Sequence, residues 1–118
     1  MPRRIADSVV VITGASSGIA RATALEIADH HGTVVLASRQ EKALQEVASE
    51  CERRGGKALP IRTDVTDEQQ VQTLARRTVE TFGRIDVWIN AAAVALYSGF
   101  EEAPPDAFRR VIETNLFG

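Results

Sequence analysis

The apolar run Val9-Val10-Val11-Ile12 leads directly into Thr13-Gly14-Ala15-Ser16-Ser17-Gly18-Ile19-Ala20, and an Ala-rich segment follows as far as Gly32. A buried strand, a turn of small residues and a helix start, in that order, form a cradle suited to phosphate. Gly14 can take the backbone angles of a tight turn that a residue with a Cβ resists. Gly18 has no side chain to keep a diphosphate from the first free N–H groups of the helix, where the dipole also favours an anion. Ser16 and Ser17 can cap that helix or bind phosphate oxygens through their hydroxyls, and Ile19 lies within its first turn. Gly and Ser are also common in ordinary strand-to-helix connections, so the rest of the chain must decide between the two.

The rest repeats the same unit. Strands are expected at Ser8–Thr13, Thr33–Ser38, Lys57–Arg62 and Ile85–Asn90, with helices between them. The first two are continuous Val/Leu/Ile runs, as in a parallel sheet covered on both faces. Pro60 cannot donate to a ladder and places the third strand at an edge. The second helix carries Leu44, Val47, Ala48 and Cys51 on one face and stops before Gly55-Gly56. The third opens with the capping-box pattern Thr66-Asp67-Glu68-Gln69 and carries Val71, Leu74, Ala75, Thr78, Val79 and Phe82 at helical spacing. Gly83, and Gly32 after the first helix, stand where a left-handed C-cap is wanted. Alternation of this kind gives an α/β fold, half of a doubly wound parallel sheet with strand order 3-2-1-4. A further helix begins at Pro105, with Phe108, Val111, Ile112 and Leu116 on one stripe.

Ligands of such sheets lie beyond the carboxyl ends of the strands, at the switch between the first and the fourth. Those ends carry Gly14, then Ser38-Arg39, then Asp64-Val65, then Asn90-Ala91-Ala92-Ala93. A protein that binds NAD usually offers an acidic residue at the second end, to the ribose hydroxyls. Here Ser38 and Arg39 stand there. A carboxylate repels a 2′-phosphate, whereas a guanidinium pairs with it bidentately, so the expected cofactor is NADP, with NADPH preferred over NADH. Asp64 either accepts a hydrogen bond from an adenine amino group, with Val65 against the ring, or serves as a local turn former. Asn115, at the edge of the last apolar stripe, either ties down the fourth strand's loop or orders water near the reactive end of the cofactor.

Taken together, these residues resemble the N-terminal part of the short-chain dehydrogenase/reductase family over essentially the whole chain. Thr13-Gly14-x-x-x-Gly18-Ile19-Ala20 is similar to its Thr-Gly-x-x-x-Gly-x-Gly motif, with Ala20 for the last Gly. Asp64-Val65 resembles its adenine-contacting pair. Asn90-Ala91-Ala92-Ala93 resembles its Asn-Asn-Ala-Gly run, and Asn115 falls where its helix supplies an active-site Asn. The resemblance implies a Rossmann-type dinucleotide-binding domain over residues 1–118, incomplete after the fourth strand and the helix that follows it. It also implies hydride transfer between NADP(H) and a small carbonyl or alcohol, and a homo-oligomer for the full-length protein. In the family a Tyr exchanges the hydroxyl proton, a Lys lowers its pKa and a Ser orients the carbonyl. No Tyr-x-x-x-Lys occurs here: Tyr97 is followed at that spacing by Glu101, and the lysines are Lys42 and Lys57. The 118-residue polypeptide alone is therefore expected to be inactive. Its apolar fourth strand, with an open edge, is expected to drive self-association.

Other functions fit less well. A net charge of −2, with twelve Arg scattered singly or in pairs, argues against nucleic acid or an anionic membrane as the main partner. Cys51 is the only cysteine, and neither a signal peptide nor a membrane span is apparent, which points to the cytoplasm. Cys51 is read as core packing, and His30 and His31 as complements to a helix C-terminus. A stand-alone, non-catalytic dinucleotide-binding module is the main alternative. A methyltransferase-like domain for S-adenosylmethionine would want an acid where Arg39 stands. A receiver domain would want acids at the first strand's end, and a P-loop needs Gly-Lys-Ser/Thr.

Overall fold

The computed structural model describes residues 4–15 and 18–91. After one 3₁₀ turn at Ile5–Asp7 come β1 (Val9–Thr13), α1 (Gly18–Asp29), β2 (Thr33–Ser38), α2 (Glu41–Arg53), β3 (Lys57–Arg62), α3 (Glu68–Phe82) and β4 (Val87–Asn90). The four strands form one parallel sheet in the order β3-β2-β1-β4, as the alternation of strands and helices anticipates. Pro60 lies on the outer strand β3, opposite Leu36. β4 begins at Val87 rather than Ile85, because the Val9 N–H goes to the Asp86 side chain instead of to a backbone carbonyl of that segment. The helix expected from Pro105 lies outside the described residues.

Every residue of β1 and β2 is buried, because each face of the sheet is covered. On one face Val10, Ile12, Val34 and Leu36 pack with Ala20, Ala24, Leu25 and Ala28 of α1 and with Leu44, Val47, Ala48 and Cys51 of α2. On the other, Val9, Val11, Val35, Ala37 and Ile61 pack with Leu74 of α3, and Trp88 and Phe82 close the margin. Alternate residues of a strand face opposite ways, so a continuous apolar run supplies both layers at once. Cys51 is fully buried in the first layer, and desolvation pushes its thiol pKa up. β4 is only half-buried, and among the described residues its outer edge has no strand beside it.

The helix ends differ from expectation in two instructive places. Asp67, not Thr66, caps α3: its side chain accepts from the N–H groups of Gln69 and Gln70, and Gln70 Nε2 returns a bond to Asp67 Oδ2 at 3.1 Å. The box is thus displaced by one residue. After α1 the left-handed residue is His31, with φ of 65°, and Gly32 has no such angle. The N–H of His31 bonds to Ala28 O and that of Gly32 to Ile27 O, which is a Schellman closure with Gly32 one place beyond the left-handed position. Gly32 is needed for space instead, since a Cβ there would stand 2.6 Å from Ile27 Cγ2 and 3.0 Å from the Ile5 carbonyl oxygen. Gly83 closes α3 at φ 85°, as expected. His31 Nδ1 lies 3.2 Å from Gly55 O, just past α2, and His30 Nε2 lies 3.4 Å from Glu26 Oε1 one turn back on α1.

Gly56 shows how tightly α1 meets the start of β3. A Cβ there would come within 2.8 Å of Ala28 Cα and Cβ and 2.9 Å of Gly32 O, contacts with backbone that cannot swing aside. Gly56→Ala is expected to cost about 1–3 kcal/mol, the usual range for overpacking, when urea unfolding of the intact protein is followed. An unchanged midpoint would show that the two segments are less closely packed than described.

Candidate functional site

The carboxyl ends of β1, β2 and β3 open into one cleft of about 590 Å³, lined by Gly14, Ser38, Arg39, Gln40, Thr63, Asp64, Val65 and Thr66. The parallel register produces this convergence. Thr13 pairs with Ala37 and with Asn90, and Ser38 pairs with Arg62, so the strands finish at nearly the same level. Two bonds carry the ladder past the strand ends: Ala15 N–H to Ala37 O at 3.1 Å, and Thr63 N–H to Ser38 O at 2.8 Å.

The chain leaves β1 through Gly14, whose φ of 73° belongs to the left-handed region. Gly18 opens α1 and is exposed. Among the described residues a Cβ at this position meets nothing within 4 Å, so they give no packing reason for glycine here. Ile19 is half-buried, and its carbonyl accepts from Thr23 Oγ1 at 2.9 Å. At the second strand's end Ser38 is buried and its Oγ accepts from Gln40 N–H at 3.1 Å, fixing the bend that turns Arg39 outward. Arg39 is exposed, and among the described residues its guanidinium has no carboxylate partner.

Asp64 turns out to do the local work that a turn-former does, with capacity to spare. Its Oδ1 accepts from both Thr66 Oγ1 at 2.6 Å and Thr66 N–H at 2.9 Å. Among the described residues no donor reaches Oδ2, so the two sequence readings of Asp64 are compatible. Thr66's hydroxyl and N–H hold the carboxyl below its ordinary 3.8, helped by the charges of Arg39 and Arg62. It is therefore an ionised acceptor at neutral pH. The Asp64 N–H donates to Gln70 Oε1 at 2.8 Å, and Val65 stands 42% exposed, an apolar surface facing the opening.

At the fourth end Asn90 Oδ1 accepts from Thr13 Oγ1 at 3.1 Å, which ties β4 to β1. Ala91 is buried against the α1 layer. Ser16, Ser17, Ala92 and Asn115 lie outside the described residues. The structure thus gathers Gly14, Arg39, Asp64 and Val65 around one cleft and sets Gly18 and Asn90 at the neighbouring ends. Sequence reasoning passed over Thr66 and Gln70. The Asp-x-Thr spacing was a usable signal for the first, since an Asx turn needs it. Gln70 gave none, because its reach back to Asp64 depends on where α3 starts.

The lining of the cleft combines, among the described residues, the Arg39 guanidinium with no ion-pair partner, an Asp64 carboxylate oxygen with no donor, the apolar Val65 and the bare backbone of Gly14. That donor set suits a nucleotide. Comparisons with known proteins bring in oxidoreductases, one named for NAD(P)(+) and one for NADH. An uncharacterised oxidoreductase of Bacillus subtilis (strain 168), YxnA, is 38% identical over 116 residues, which are 98% of this chain and 33% of the relative. An L-rhamnose 1-dehydrogenase (NAD(P)(+)) of a Sphingomonas species (strain SKA58) is 34% identical over 110 residues, 92% of this chain and 43% of the relative. The crystal structure of an NADH-dependent reductase complexed with NAD superposes with a TM-score of 0.66 at 33% identity, covering 73% of this chain and 37% of that one. The chain therefore spans less than half the length of each of these proteins. The family model for short chain dehydrogenase matches residues 8–118, and the chain belongs to that family.

Proposed function

We propose that residues 1–118 are the cofactor-binding domain of an NADP(H)-dependent oxidoreductase that moves a hydride between the nicotinamide and a small carbonyl or alcohol. The observation that carries this reading is the meeting of Gly14, Arg39, Asp64 and Val65 around one cleft. Family membership alone leaves the cofactor open, since one relative is named for NAD(P)(+) and one solved neighbour for NADH. The choice rests on charge. Arg39 stands where an NAD protein usually presents an acid, and a 2′-phosphate gives that guanidinium a charged partner, which it lacks among the described residues.

The bound dinucleotide supplies the hydride donor or acceptor. Gly14 and Gly18 let its diphosphate approach the N–H groups that open α1, with the Ser16 and Ser17 hydroxyls and Ile19 beside it. Arg39 pairs with the 2′-phosphate, Asp64 Oδ2 accepts from the adenine amino group, and Val65 packs against the ring. Asn90, Ala91 and Ala92 form the wall toward the nicotinamide, and Asn115 orders water or holds that wall in place. No Tyr-x-x-x-Lys pair exists in this sequence, so proton transfer to the substrate falls to groups outside these residues. A cytoplasmic setting and a homo-oligomer belong to the same reading, supported by the family and by the lone cysteine's burial.

Two outcomes test it. Calorimetric titration of the intact protein is expected to show tighter binding of NADPH than of NADH. Arg39→Asp is expected to weaken NADPH by several-fold to about a hundredfold, because charged hydrogen bonds contribute about 1.5–3 kcal/mol each. Equal affinities in the parent, or an unmoved NADPH affinity in the variant, would remove Arg39 from this role. Gly18→Val is expected to weaken NADPH and NADH alike by about tenfold or more, on the same scale. Its stability should stay within about 0.5 kcal/mol, as for a surface change. Normal binding by that variant would mean that the diphosphate lies elsewhere.

A further inference from the structure

Beside the bend that carries Arg39 stands a second guanidinium. Arg62 is the last residue of β3 and pairs in register with Ser38, the last residue of β2. It is exposed, and its Nε points at the Arg39 carbonyl oxygen at 3.4 Å, a long bond that restrains the side chain without using its terminal amino groups. Some cations of the chain are paired, such as Arg54 with Asp29 and Glu50, Arg76 with Glu80 and Arg84 with Asp86; among the described residues others on the helix surfaces, such as Lys42 and Arg77, are not. Among the described residues neither Arg39 nor Arg62 has such a partner, although they are neighbours of like charge. Both act on the same carboxylate, since the charges of each help to hold Asp64 in its ionised form, after the larger effect of Thr66.

Two adjacent guanidiniums, Arg39 on the cleft and Arg62 restrained beside it, with no ion pair among the described residues, match an anion of charge near −2 better than one of charge −1. A phosphate monoester carries roughly −1.5 to −2 near neutral pH. Arg62 ends β3 opposite Ser38, and Arg39 follows Ser38 directly. The two residues thus start from adjacent strand ends whose backbones lie about 4.8 Å apart, and long flexible side chains from there can reach different oxygens of one phosphate. We propose that Arg62 is a second specificity-determining residue, which engages the 2′-phosphate of NADP(H) together with Arg39 and is steadied by the Arg39 carbonyl. This rests on the reading of Arg39 given above and extends it to a residue on a different strand. Arg62 contributes to the choice between the two dinucleotides and has no part in binding the adenine or the diphosphate.

The test uses the intact protein and four probes: NADPH, NADH, adenosine 2′,5′-bisphosphate and adenosine 5′-monophosphate. For Arg62→Gln, calorimetry is expected to show about tenfold weaker binding of the two 2′-phosphorylated probes, the loss of roughly one charge-assisted hydrogen bond, with the other two unchanged. Arg62→Lys is expected to fall between parent and Gln, because an ammonium keeps the charge and loses the fork. Equal weakening of all four probes would assign Arg62 to shaping the loop alone and overturn the proposal. If Arg62→Gln changes nothing while Arg39→Gln abolishes discrimination, the proposal fails and the reading of Arg39 stands. If the parent protein shows no preference for the phosphorylated probes, that earlier reading fails and this one falls with it.

Discussion

The enclosure of β1 governs the rest of the structure. All five of its residues are buried, with β2 and β4 on its flanks, α1 and α2 over one face and α3 over the other. A strand shut away from water must pair its backbone on both edges, because an orphaned buried N–H or C=O costs as much as a lost hydrogen bond. That requirement fixes the register of both neighbours. It also forces the chain to leave the sheet abruptly, through a backbone bend at Gly14 that a side chain resists. The place where a ligand can approach bare backbone is thus a by-product of burying the central strand.

The opposite end of the sheet secures that register. The Val9 N–H donates to Asp86 Oδ2 at 2.7 Å, while the Asp86 N–H donates to the Val9 carbonyl at 2.9 Å, a reciprocal lock between the starts of β1 and β4. Arg84 bonds to Asp86 and to the Asp7 carbonyl, which holds the 3₁₀ turn to the same corner. Across the sheet, Gly32 and Gly56 let the ends of α1 and α2 crowd against the backbone. Because parallel strands cannot slip by one residue without exchanging their faces, this distant clamp sets the level at which Ser38, Arg62 and Asn90 end. Arg39 and Asp64 then line one cleft without any direct bond between them.

How much of this was legible in the sequence depends on the range of the interaction. The Val and Leu runs of β1 and β2 announce burial on both faces, and Pro60 announces an edge, so strand order and layering could be read from residue type. Gly83 was readable for the same reason, since its left-handed angle is a local matter. His31 and Gly32 were not, because the choice between them turns on Ile5 and Ile27 crowding the second position. The cap of α3 went to Asp67 because Thr66 was already bonded to Asp64, a competition that no window of residue preferences displays. At the site, the glycines and Arg39 could be singled out by their chemistry. The position of Arg62 beside Arg39 could not, since twenty-three residues separate them and only the β2–β3 register brings them together.

The central claim concerns where a dinucleotide lies on this scaffold, and a crystal structure of the intact protein with NADP(H) tests it most directly. The account requires the diphosphate against the backbone between Gly14 and Gly18, the adenine beside Val65, and the 2′-phosphate against the Arg39 guanidinium. A structure with the dinucleotide bound elsewhere, or bound here with Arg39 turned to bulk solvent, would contradict it.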